Sequence, residues 1–254
     1  MAALRHLRSA LAVVLVLLVF IPGGIVQRMF VWPAARLFPR YRLAVVSAFM
    51  RAMSRSILGL LSAVGGARFL RQGRIVTTAP CLVLMNHQSL LDILSAVLLS
   101  HPYVPGFVTR RRYSRFVPVV SLCLRLLGCP IIDPENARRR ALATIEEAAR
   151  TLPQGLLIFP EGHRTRDGEI QAFKTAGALA FLRTRKVPVY VVVTDGVWAA
   201  PRLTDFVFGV QRLQGRTEVL GPFMPPDDHG QNAAFLAGLR EKMVEHLREM
   251  RGRP

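Results

Sequence analysis

At 254 residues the chain suits one large domain, or one domain with an appended membrane element. Its 34 Lys and Arg against 16 Asp and Glu give a formal net charge of +18 beside 51% hydrophobic residues, a balance that favours bilayer phospholipid over nucleic acid as the anionic partner. Three cysteines, Cys81, Cys123 and Cys129, stand in apolar contexts without metal-ligand spacing, which argues against a disulfide framework and for a reduced compartment.

Residues from Ser9 to Val26 carry no charge, and Leu11 to Ile21 are almost entirely aliphatic. The span is near the lower limit of roughly 17 residues for crossing a bilayer. Pro22, Gly23 and Gly24 weaken its last turn, so a full crossing and a shallow or re-entrant insertion both stay open. Arg28, Arg36, Arg40 and Arg42 outweigh Arg5 and Arg8, which puts the body of the protein on the cytoplasmic side. Met29, Phe30, Trp32, Phe38 and Tyr41 interleave with these arginines, as at a headgroup layer. Leu43 to Leu61 reads as a second apolar helix with Arg51 and Arg55 on one face. Residues 1–66 are therefore expected to form a membrane anchor and helical segment, leaving at Gly65-Gly66, and residues 67–254 the body. Two core helices of a soluble domain are the alternative reading.

In the body, Ala67 to Ile75 looks like an edge strand and the apolar run Cys81 to Met85, introduced by Pro80, like a buried one. Leu90 to Leu99 is an expected helix ending at His101-Pro102, and Val104 to Val108 a strand. Arg110, Arg111, Arg112 and Arg115 follow, either a solvated or membrane-adhering face or an attractor for a phosphorylated or acidic partner. Phe116 to Leu127 is apolar enough for the core or for contact with acyl chains. After the short strand Ile131-Ile132, Asp133 and Pro134 open a helix running to about Thr151. Leu156 to Phe159 is a second buried strand, Ala172 to Leu182 a helix, and Val187 to Val193 a strand with Pro188 at its start or at a bulge. Thr204 to Gln214 is ambiguous, Glu218 to Leu220 is strand-like, and Asn232 is expected to cap a last helix reaching Met250. The order predicts an α/β fold: a largely parallel central sheet flanked by helices, with an N-terminal membrane-associated helical segment.

Two polar clusters break apolar strands at their C-terminal ends, where open α/β sheets form clefts. The first is Asn86-His87-Gln88-Ser89-Leu90-Leu91-Asp92. With His87 in the loop and Asp92 in the first helical turn, the carboxylate can fold back onto one imidazole nitrogen and leave the other as a base for a hydroxyl or water. A plain helix-capping cluster, with Asn86 or Ser89 as cap, is the competing reading. The second is Pro160-Glu161-Gly162-His163-Arg164-Thr165-Arg166-Asp167-Gly168. His87, His101 and His163 are scattered and lack a metal ligand set.

With both clusters in this order, followed by Val187-Pro188-Val189, the chain resembles the phospholipid/glycerol acyltransferase family over roughly residues 68–225. The resemblance implies transfer of a fatty acyl group from acyl-coenzyme A or acyl-carrier protein to a lysophospholipid hydroxyl, lysophosphatidic acid first. It makes His87 and Asp92 a catalytic dyad and Glu161, Gly162 and Arg164 an acceptor-binding block, with Arg164 on the phosphate and Glu161 orienting it or touching the glycerol. No bound cofactor or metal is implied. His163 stands where the family usually has threonine or serine, and Pro134 where an arginine often stands, so Arg138, Arg110 or Arg112 would have to supply the missing phosphate contact. Another lysolipid acceptor, such as an ornithine- or head-group-bearing one, and a noncatalytic lipid-binding protein are the rivals; specific nucleic-acid binding is not expected, since no recognition helix is evident.

Overall fold

A computed structural model describes residues 2–132, 138–200, 205–206 and 209–253. The expected helix opening at Asp133, Pro134 and Glu135 lies outside these residues. The chain starts with helix α1 (Ala2–Val26), a π-helical turn (Gln27–Val31), α2 (Trp32–Leu37) and α3 (Arg42–Ala63). Residues Arg5–Leu37 and Pro39–Ala63 are each long and apolar enough to cross a membrane. Yet α1 has two different apolar faces. Ser9, Ala12, Val13 and Val16 are buried, while Leu7, Leu11, Val14, Leu18, Ile21 and Ile25, spaced alternately by four and three, are about half exposed or more. The buried face is tied to the body, where Ser9 Oγ donates to Gln211, and beside it the Arg8 guanidinium donates to Val64 O just beyond α3 at 3.1 Å.

The body holds β1 (Arg68–Gln72), β2 (Ile75–Val76), β3 (Leu82–Met85), α4 (Leu91–Leu99), β4 (Ser100–His101), β5 (Gly106–Phe107), β6 (Thr109–Arg110), α5 (Val120–Leu126), β7 (Ile131–Ile132), α6 (Arg138–Thr151), β8 (Leu156–Ile158), α7 (Ala176–Thr184), β9 (Val189–Asp195), β10 (Gln214–Phe223) and α8 (Asn232–Gly252). The central sheet has six strands in the order β1-β10-β9-β3-β8-β5. Strands β9, β3, β8 and β5 run parallel, as expected, whereas β10 pairs antiparallel with β9 and carries β1 with it. The sheet is thus mixed rather than parallel throughout. Pro188 immediately precedes β9, where its missing N–H costs no ladder bond and its carbonyl accepts from Leu82 N at 3.0 Å.

Burial on both faces explains the continuous apolar strands. Leu82, Leu84, Leu156, Ile158, Val189 and Val191 enter one core with residues of α6, α7 and α8. Their neighbours Cys81, Val83, Met85, Leu157, Tyr190 and Val192 enter another with Val31, Ala35, Val46 and Phe49 of the N-terminal segment. A third core joins Ala12, Val16 and Leu58 to Leu91, Val197 and Val210. Two of the three cores therefore draw on both sides of Gly66. All three cysteines are free and buried, and burial pushes each thiol up to about 12.

One local expectation is corrected and one narrowed. Asn232 does not cap α8: a 3-10 turn (His229–Gln231) runs into the helix, and Asp228 caps that turn by accepting from Gly230 N at 2.8 Å. Of the two places open to Phe116, the core is ruled out and contact with acyl chains is not: the residue is 97% exposed, because the chain between β6 and α5 turns outward with φ of +62° there and +64° at Val119.

Candidate functional site

Strands β3 and β8 are parallel neighbours, with Leu82 beside Leu156 and Leu84 beside Ile158, so the two polar clusters leave the sheet side by side. Gly155 makes this possible: at φ +80° a Cβ there would lie 1.9 Å from Cys81 O, so only glycine admits the turn into β8.

The first cluster is locked by its own side chains. Asn86 Oδ1 accepts from Thr194 N at 2.8 Å and its amide donates to Thr194 O at 2.9 Å, continuing the ladder where the backbone departs. Gln88 Nε2 donates to Gly168 O at 3.2 Å and to Asp195 at 3.1 Å, and Ser89 Oγ donates to Ala200 O at 2.7 Å. These three residues are 0–1% exposed. The His87 ring, 17% exposed, is the one side chain of the quartet that reaches the surface.

His87 Nδ1 lies 2.8 Å from Asp92 Oδ2, and the same oxygen accepts Gln88 N at 2.7 Å and Ser89 N at 2.8 Å. A carboxylate accepts, so Nδ1 carries a proton, and in the neutral ring Nε2 keeps its lone pair. The imidazole also stacks on Phe159, with centroids 4.0 Å apart and planes 22° from parallel. Its orientation is thus set from its edge by Asp92 and from its face by the end of β8. The capping alternative accounts for part of this geometry, since Asp92 holds two backbone amides before α4 and Ser89 Oγ, while donating to Ala200 O, accepts Leu91 N at a long 3.5 Å; Asn86 is used elsewhere.

The second cluster is stitched to the first. Glu161, 1% exposed, accepts His87 N at 2.8 Å on one oxygen and Gln171 N at 2.9 Å on the other, while Thr165 N donates to His87 O at 2.8 Å. Burial pushes the Glu161 carboxyl above its usual range, and the two amides and neighbouring histidines pull part of the way back. Each Glu161 oxygen thus holds one backbone amide, and the side chain braces the loop.

Among the expected anion ligands, Arg110 is exposed and donates from Nη2 to Gly162 O at 3.2 Å. Arg112 is exposed, stacks over the Tyr113 ring at 4.7 Å and donates to its hydroxyl at 2.9 Å. Arg164 is half-buried and already has a partner. Gly162 sits at φ +73°, where a Cβ would approach the Lys174 side chain at 3.2 Å, so Lys174 is a further cation beside the block. His163 and Arg166 are exposed. Arg138 begins α6, and its side chain lies outside the described residues. Among the described residues no cluster of His, Cys, Asp and Glu could hold a metal ion.

Sequence reading overlooked the contribution of α8. Arg251 donates to both oxygens of Asp195, at 3.0 and 3.2 Å, to Gly168 O at 3.0 Å and to Glu169. Arg240 donates to Gln171 O at 3.0 Å and Ile170 O at 3.2 Å. Eleven residues are close to three helical turns, so both arginines face the same way and pin the loop after β8 at two points. The only sequence signal was their spacing on the last helix, which names no partner.

The acyltransferase family model matches residues 64–195. The 1-acyl-sn-glycerol-3-phosphate acyltransferase of Saccharomyces cerevisiae is 26% identical over 179 residues, 67% of this chain and 56% of that protein. A Pseudomonas aeruginosa protein of the same name is 26% identical over 208 residues, covering 80% and 76%. A crystal structure titled as the 1-acyl-sn-glycerophosphate (LPA) acyltransferase, PlsC, of Thermotoga maritima superposes with a TM-score of 0.74 at 21% identity over 98% of both chains, a likeness of fold. The chain spans about half or less of the length of several curated relatives, 56%, 40% and 33% in three of them.

Proposed function

The chain belongs to the acyltransferase family, and on that premise we propose that it transfers a fatty acyl group from an acyl thioester to the sn-2 hydroxyl of lysophosphatidic acid, giving phosphatidic acid at a membrane surface. The observation that carries this reading is the 2.8 Å contact between His87 Nδ1 and a buried Asp92, which leaves Nε2 as the base of an otherwise locked cluster. In the reaction Nε2 takes the acceptor hydroxyl proton as that oxygen attacks the thioester carbonyl. The C–S bond then breaks as the ester C–O bond is kept, and the imidazolium returns the proton to the departing thiolate. Asp92 stays ionised throughout and stabilises the charged ring. Ser89, whose hydroxyl is spent on Ala200 O, has no nucleophilic role.

Arg164 with Arg110 and Arg112, and Arg138 at the start of α6, are the proposed ligands of the acceptor and donor phosphates. Gly162 admits the acceptor close to the backbone, and Glu161 holds the loop carrying Arg164 against His87. The donor is acyl-coenzyme A or acyl-carrier protein. Residues 1–66 would serve as the membrane unit and 67–254 as the catalytic one, with the exposed aliphatic stripe of α1 in the cytoplasmic leaflet and its buried face on the body. The names of the yeast and Pseudomonas relatives support lysophosphatidic acid as acceptor.

The test is an acceptor-by-donor activity screen on the purified full chain. Saturable thiol release dependent on lysophosphatidic acid, lost in His87→Ala, is expected. Unchanged thioester-dependent transfer by that variant would remove the proposed base. A higher kcat/KM on an ornithine- or head-group-bearing lysolipid would keep the chemistry and replace the acceptor.

A further inference from the structure

We propose that the segment from Arg111 to Val119 is a second bilayer-contact element, in which Phe116 enters an anionic leaflet and Arg111, Arg115 and Arg125 hold its lipid phosphates. Phe116 is 97% exposed, more than any other large apolar residue in the described chain. The left-handed backbone at Phe116 and Val119, which L side chains rarely adopt, turns the ring away from the core that the neighbouring apolar residues enter. Isolated exposed apolar residues are common on water-soluble surfaces, so exposure alone carries little. Charge and continuity carry the rest.

Beside this loop lies a cleft of about 490 Å³ lined by Arg111, Ser114, Arg115, Arg125 and Ile131. Among the described residues no carboxylate lines it, and none of the ion pairs among them includes any of its three arginines. Three guanidiniums around one hollow repel one another unless an anion sits between them. The loop is also tied to the segment that bears the exposed apolar stripe. Gln27 Nε2 donates to Val119 O at 2.7 Å and lies 3.0 Å from Cys123 Sγ, and the turn that holds Gln27 exposes Met29 and Phe30. On its other side, Arg110 reaches Gly162 O of the acceptor block. A soluble phosphate compound would match the arginines but leave the exposed Phe116, Met29 and Phe30 unexplained; a leaflet accounts for both. The contact would place lipid headgroups on the strip of chain leading to His87, though it stands without the acyl-transfer reading, since its evidence is exposure and charge.

The test uses the full chain in vesicles of phosphatidylcholine, with and without phosphatidylglycerol, and an environment-sensitive fluorophore on Phe116→Cys. The native thiols are buried and pushed up to about 12, so the introduced one is labelled selectively. Expected are a blue shift and quenching by lipid-borne quenchers in the anionic vesicles, with protection from aqueous iodide that a probe at exposed Glu147→Cys on α6 lacks. Arg115→Gln and Arg125→Gln should each weaken the preference for anionic vesicles about fivefold without altering the melting temperature. Equal iodide quenching at the two positions would overturn the proposal. So would a response of the Phe116 probe to coenzyme A in detergent with none to anionic lipid, which would make the arginine cleft a donor site.

Discussion

The cluster from Asn86 to Asp92 and the arginine stretch from Arg110 to Arg115 are both polar and both follow strands, yet they are built in opposite ways. In the first, Asn86, Gln88, Ser89 and Asp92 are at most 1% exposed and each is committed to backbone groups, so one imidazole edge is left for chemistry. In the second, Arg110, Arg111, Arg112 and Arg115 are exposed and none is paired with an acid among the described residues. Proton transfer needs its atoms within a few tenths of an ångström, which demands a surrounding shell of fixed partners. Holding an anion needs only charge of the right sign within reach, which exposed flexible cations supply. Substitutions in the first region should therefore change rate or stability, and in the second binding.

The sharpest break would come at the dyad. His87→Ala should lower kcat about 10²- to 10⁴-fold and cost less stability than Asp92→Asn, because Asp92 Oδ2 keeps the amides of Gln88 and Ser89 when the ring is gone. Asp92→Asn should lower it by about 10³- to 10⁴-fold and also destabilise by about 2–3 kcal/mol, since one charged oxygen serves three N–H donors. Thermal melts beside steady-state kinetics separate the two effects. Arg251→Ala tests whether the locking extends to α8: a fall of about tenfold in kcat is expected, partly restored by Lys, as the tie through Asp195 to Gln88 loosens.

Glu161→Gln sharpens the comparison through pH. The folded-state pKa of Glu161 is raised, so its contribution to stability is fully present below the unfolded value and is lost as pH rises through the folded one. The stability of wild type relative to Glu161→Gln should accordingly fall with rising pH across the acidic range, measured as the difference between their melting temperatures. A difference that grew with pH would contradict the burial argument. The smallest effects belong to the arginines. Arg110→Gln with Arg112→Gln should raise KM for a phosphorylated substrate about three- to tenfold with kcat nearly unchanged, and added salt should narrow the gap to wild type.

Much of this architecture was readable in the chain itself. The apolar runs 81–85, 156–159 and 187–193 named three adjacent buried strands, and the five-residue spacing of His87 and Asp92 foretold their contact, because strand burial and a loop folding back on its own helix are local matters. The two clusters could be paired from their shared position after parallel strands. The reversed direction of β10, the exposure of Phe116 and the use of Asn86 as a ladder group could not, since each depends on which distant segment lies alongside.

Glu161 shows the limit best. Residue type and place in the block suggested a substrate or arginine contact; the fold adds the amides of His87 and Gln171, one on each oxygen, which spacing does not name. Hydrophobic period and short-range spacing are written into the chain, and with them the strands, the order of the clusters and the side chains able to do acid–base work. Which polar groups hold the loops, the Arg240 and Arg251 ties from α8 among them, came from the packing of distant segments. A buried hydrogen bond must be satisfied by whatever donor the topology brings near, and that choice is made across the whole chain.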